Sequence, residues 1–425
     1  MIICRSLICW QQIPTEIISL RNQYSGTMEE ELTQAKELNR IFLIGNGFDI
    51  NHGLQTSYKH FLIDYVTKSV KKASVAANNI YEDDCFQIEI WNRSRLDNHG
   101  RLFLHLEKCL EKEDISDFIR NKSYVWPNRT ESTHPALIIR PKNSFIKEIL
   151  ENCFDCDWNG IEDEIYKTIM TFHFKIQEYQ KTHSITPIAK VAPVYSNILA
   201  EIKNLNMSID CLKVQLKEYL LTQNKPVEHN IDLFRKVTAT FRYYAPADAD
   251  LQYPQNLSTN LFLNFNYTTY VKEIVDQIEK LDGSSATVFQ TVNIHGDLDS
   301  DIDDIVFGIG DEQNDFYQEI ESMYDDDWLE CMKSFRYFRN EKYQELLGFI
   351  KRGEYEIYVM GHSCSITDRT LLNMLFENEY CKKIHVFHYK GMTSYLRTTY
   401  NIARNFTDKV KMREVLMPFN ADLTM

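Results

Sequence analysis

Two regimes of apolar and polar spacing divide the chain. The first opens at "NRIFLIGNGFDINHGLQTSYKHFLIDY", where the apolar run Ile41–Ile44 stops abruptly at glycine, asparagine and aspartate. A short apolar run closed by such residues reads as a buried strand followed by a turn. Beyond the turn, Thr56 or Ser57 is placed to cap a helix whose Tyr58, Phe61, Leu62 and Tyr65 fall at i, i+3, i+4 and i+7. Strand, glycine loop and helix form the opening unit, and "MEEELTQAKELN" before it reads as a charged helical lead-in.

The second regime covers residues 66–255. Here "SFIKEILENCF", "IEDEIYKTIMTFHFKIQEYQKT" and "VYSNILAEIKNLNMSIDCLKVQLKEYLLTQ" carry helical periodicity, interrupted by "WNGIEDE" and by "YVWPNRTESTHPALIIRPKN", neither with an evident strand pattern. β signals return in "LFLNF", "VFQTVNI", "DIVFGIGD", "EIYVMG" and "IHVFHY", most separated by a helical segment. Strands at short intervals with helical crossovers predict an α/β fold with a mostly parallel, Rossmann-like sheet. The predicted organisation is 28–65 for the first strand, loop and helix, 66–255 for a large, mainly helical insertion, and 256–425 for the remainder of the α/β domain. Residues 1–27 read as a disordered leader, or as a translation start set too early with Met28 the natural first residue.

In an open α/β sheet, ligands bind outside the carboxyl ends of the strands. The first strand delivers Gly45, Asn46, Gly47 and Asp49 to that edge, and the next delivers Asn264, Asn266 and Thr268. His295, Gly296 and Asp297 follow the third; Gly308, Gly310 and Asp311 the fourth; Gly361, His362, Ser363 and Asp368 the fifth. Six of the chain's 14 glycines stand at these ends, where a missing Cβ lets backbone approach a ligand. Each loop taken alone is equally explained as a turn. The first loop is not the G-x-G-x-x-G dinucleotide fingerprint, because Ile50 stands at the third glycine, so a ribose there falls to Asp49, Asn266 or Asp368.

Composition narrows the partners. A formal charge of −14 argues against a basic nucleic-acid groove, and no apolar run reaches the ~18 residues that mark a membrane span. Ten scattered cysteines fit reduced thiols in a cytoplasmic protein. The pair Cys153 and Cys156 lacks the second pair or histidines of a zinc site, so no metal is expected. The acidic run "DLDSDIDD" lacks the spacing of a calcium loop.

The succession "FLIGNGFDINHGLQTSY", "WNGIEDE", "LNFNYT", "NIHGDL", "FGIGD" and "VMGHSCSITD" resembles the AbiH family of phage abortive-infection proteins, over Arg40 to about Tyr389. More distantly it is similar to the sirtuin-like NAD-binding fold. That resemblance implies that "GNGFD" takes the place of the glycine loop, Asn266 that of the ribose-side asparagine, His295 that of the catalytic histidine, and "GHSCSITD" that of a loop near the adenosine. The two CxxC pairs of the sirtuin zinc module are absent, which points away from acyl-lysine chemistry and toward water as acceptor. The expectation is an antiphage protein that binds and hydrolyses NAD, with Asn266 orienting the ribose, His295 as base and the Gly45–Gly47 amides on the diphosphate. The alternative is a nucleotide-binding sensor without chemistry, and self-association is left open.

Overall fold

The computed structural model describes residues 39–90, 106, 108–112, 114–115, 124–125, 137–155, 160–183, 193–223, 258–282, 287–313, 315–323 and 325–425. The leader, the charged lead-in, Cys156 and the start of "WNGIEDE" lie outside them. The strands are β1 (Asn39–Ile44), β2 (Ile80–Glu82), β3 (Phe86–Ile90), β4 (Tyr124–Val125), β5 (Leu137–Pro141), β6 (Ser258–Asn264), β7 (Thr287–Asn293), β8 (Tyr355–Met360) and β9 (Cys381–Val386).

Five of these form a sheet in the order β7-β6-β1-β8-β9, every pair parallel. β1 is central, and its successive side chains feed opposite faces. Phe42 stacks between Phe262 of β6 and Tyr358 of β8, with ring centroids 4.7 and 5.3 Å away. Ile41 and Leu43 join the other core with Leu261, Leu263, Ile357 and Val359. Apolar residues on both faces are what a parallel sheet covered on both sides requires. The mostly parallel α/β expectation holds.

The glycine loop leads through the short helix α1 (Asn46–Asn51) to α2 (Tyr58–Val75). Ser57 caps α2, its hydroxyl accepting from the His60 amide. Phe61, Leu62 and Tyr65 are buried, as their spacing predicts. The helices α3 (Ser144–Asp155), α4 (Ile161–His183) and α5 (Pro193–Gln223) follow. Together with α2 they enclose a second sheet, ordered β2-β3-β5-β4. This sheet was not anticipated, although Phe86–Ile90 alternates buried and half-buried positions as a strand should. The apolar stretch of "ALIIRPKN" becomes β5 because it pairs with β3.

"DIVFGIGD" forms no strand of the main sheet. Its Ile309 makes an isolated bridge to Met332, and the fifth place in the sheet belongs to β9. After β6 come α6 (Tyr270–Asp282), then α7 (Asp315–Glu321), α8 (Lys333–Arg336) and α9 (Lys342–Ile350) before β8. The chain ends with α10 (Arg369–Phe376), α11 (Met392–Asn405) and α12 (Lys409–Val415). Among the described residues no helix is long and apolar enough to cross a membrane. The strand order reverses between β1 and β8, and such a switch point opens a crevice at the carboxyl ends.

Candidate functional site

That crevice is a cavity of about 620 Å³. Its floor is the meeting of the β1 and β8 loops, where backbone packs on backbone. The Gly47 amide donates to the Gly361 carbonyl at 2.9 Å and the Gly45 amide to the Met360 carbonyl at 3.1 Å. These two amides are therefore engaged inside the protein. Gly361 adopts φ +69°, and a Cβ there would lie 2.1 Å from the Phe48 amide nitrogen. Gly361→Ala is expected to destabilise the fold by roughly 2–4 kcal/mol, strain and overlap together, measured as a lowered denaturation midpoint. An unchanged midpoint would show that the two loops can part without loss.

Beside the floor, Asp49 is fully buried and accepts from Asn266 Nδ2 at 2.8 Å and from the Thr268 hydroxyl at 2.6 Å. Burial raises its carboxyl to about 7, although both hydrogen bonds pull the other way. Asn266 also donates to the Gly45 carbonyl at 3.2 Å. Two oxygen acceptors fix the amide's orientation, leaving Oδ1 unpaired at the cavity wall.

A buried charge network forms the opposite wall. Lys333, with 0% exposure, donates to Asp368 Oδ1 at 2.7 Å and Glu162 Oε2 at 3.0 Å. His295 Nε2 lies 3.3 Å from Asp368 Oδ1 and 3.4 Å from the Tyr337 hydroxyl. His362 accepts the Cys364 amide on Nδ1, which makes Nε2 its protonated nitrogen, 3.6 Å from Asp368 Oδ2. Burial alone would push Asp368 up, but Lys333 and the imidazoles outweigh it and hold the carboxyl well below its usual range. Glu162, whose strongest influence is also burial, rises to about 7 despite Lys333. Burial, helped by Lys333, lowers His295, and burial takes His362 to about 4. Both imidazoles are therefore neutral at pH 7.

The expected residues divide cleanly. Gly45, Asn46, Gly47, Asp49 and Asn266 line the cavity from one side; His295, Gly361, His362, Ser363 and Asp368 line it from the other. Gly296, Gly308 and Gly310 do not line it. Each faces other backbone: Cβ atoms there would meet the carbonyl oxygens of Asp304 at 2.8 Å, Cys331 at 2.0 Å and Thr367 at 3.0 Å. Gly308 contributes indirectly, since its amide hydrogen-bonds Glu162. Sequence reasoning missed Glu162, Asp163, Tyr58 and Tyr267 on the wall and Lys333 behind it. "WNGIEDE" carried the signal for Glu162 and Asp163, both at the start of α4. Nothing local marks Lys333.

The insertion completes the enclosure, with Gly160, Glu162 and Asp163 ahead of and on α4 and with Leu216 and Leu220 of α5. Ser365 and Asp163 approach at 3.4 Å across the seam. Among the described residues, one other group clusters potential metal ligands: Asp83, Cys85 and Cys211. Asp83 already accepts from the Tyr65 and Tyr81 hydroxyls and from the Cys85 and Phe86 amides. Its oxygens serve as a structural knot.

No curated protein matches the chain. A family model described as "Bacteriophage abortive infection AbiH" matches residues 41–389. The match takes in β1 from Ile41 onward, the other four strands of the main sheet and the β1 and β8 loops of the cavity floor.

Proposed function

Taking as premise that the chain belongs to the bacteriophage abortive infection AbiH family, we propose that it hydrolyses the N-glycosidic bond of NAD in the switch-point cavity. The observation that carries this reading is the pair of cavity carboxyls on one ammonium: Asp368 held ionised and Glu162 poised near neutrality. Cleavage of a glycosidic bond passes through a cation at the anomeric carbon, which carboxylates stabilise.

In this scheme water attacks the ribose carbon, its proton passes to the Glu162 carboxylate, and the bonding pair leaves with nicotinamide. A base titrating near the working pH suits that task. Asn266 offers Oδ1 to a ribose hydroxyl. His295, enclosed between Asp368, Tyr337 and the Phe265 carbonyl, shapes the wall and holds Asp368; the base role expected of it from sequence is better served by Glu162. Defence would follow from loss of the cofactor pool in an infected cell.

A second reading, a nucleotide-binding sensor without turnover, draws on the same enclosure, because His295 and both N–H groups of Asn266 are already engaged by the protein. Phage challenge of expressing cells separates the two. The hydrolase reading expects cellular NAD to fall as free nicotinamide appears. Protection with NAD unchanged would leave the sensor.

A further inference from the structure

Among the described residues, every ionisable wall residue of the cavity apart from its two neutral histidines and its tyrosines is a carboxylic acid: Asp49, Glu162, Asp163 and Asp368. Among the described residues no lysine or arginine lines it. Lys333, behind the wall, is wholly buried and divided between two of these carboxyls. Of the floor amides, those of Gly45 and Gly47 are bonded to the Met360 and Gly361 carbonyls. What the wall does offer is a hydrogen-bond acceptor, the unpaired Oδ1 of Asn266, on a residue only 6% exposed. An anion entering this space would lose hydration and meet like charge.

We infer that the cavity takes a cationic N-riboside, the pyridinium glycoside itself, and holds its phosphate or diphosphate outside. Recognition rests on the ribose hydroxyls and the positive ring, and the nucleotide portion of a dinucleotide projects past the mouth. The inference rests on the glycosidase reading and narrows its substrate class. The step it implies balances: riboside cation plus water gives ribose, neutral nicotinamide and one proton.

The test is a charge series bound to the full-length protein and followed by calorimetry, so that it needs no turnover: nicotinamide riboside, its 5′-monophosphate, and NAD. The riboside is expected to bind at least about tenfold more tightly than the monophosphate at low salt, a ratio that shrinks as screening rises. Asp163→Asn, at the rim, should reduce the ratio while leaving the denaturation midpoint near that of the parent. A monophosphate or NAD binding more tightly than the riboside would overturn the inference, yet the glycosidase reading would survive if NAD were cleaved. If none of the three bound, both would fall.

Discussion

Lys333→Met is expected to destabilise the protein by about 3–5 kcal/mol at pH 7, the usual cost of stripping a buried ion pair of one partner. Methionine keeps the packing of the lysine stem, so the loss is electrostatic. It leaves Glu162 and Asp368 facing one another without the ammonium that each bonds. Because Glu162 lies on α4 and Asp368 just before α10, the damage should reach the seam between insertion and main sheet. Acidification supplies a control: protonating the stranded carboxyls removes the conflict, so the stability gap between variant and parent should narrow from pH 7 toward pH 5. Urea titrations at several pH values measure it. A gap independent of pH would mean that Lys333 acts through packing alone.

The second large effect belongs to Glu162→Gln. Turnover should fall by roughly 10²- to 10⁴-fold, the range of a general base, with ligand affinity and fold retained, since glutamine keeps an oxygen for the Gly308 amide. Stability against pH gives a separate readout. The folded state raises Glu162 from 4.5 to about 7, so between those values it binds more protons than the unfolded chain does. Stability must then decline as pH rises through that window, and the variant should lack this component. Nicotinamide release and denaturation midpoints report the two effects independently. Full turnover in the variant would return the base role to His295.

The strand ends were readable because short apolar runs punctuated by glycine and asparagine are local signals. Gly45, Asn266, His295 and Asp368 lie in segments far apart in sequence and still reach one cavity, since a parallel sheet brings every carboxyl end to one edge. The same punctuation misled at Gly296, Gly308 and Gly310. A glycine demanded by a neighbouring carbonyl looks, in sequence, like one demanded by a ligand. Lys333 was invisible for a different reason: in "CMKSFR" it reads as an ordinary surface lysine, and only the two carboxyls brought to it from residues 162 and 368 explain its burial. β5 escaped notice because its partner β3 lies far upstream in sequence and gives it no local hairpin signal.

The central position of β1 also sets a timetable. It is the first strand of the sheet to be translated, yet both its neighbours, β6 and β8, lie far downstream. At ~5–20 residues per second, the roughly 300 residues between Ile44 and the end of β8 occupy the ribosome for on the order of 15–60 s. Throughout that interval the glycine loop has no Gly361 to rest on, and for most of it, until Lys333 is made, Glu162 has no lysine. A nascent or prematurely terminated chain thus carries neither floor nor charge network, and the cell that makes this protein meets a finished cavity only after β8 and its loop have left the ribosome.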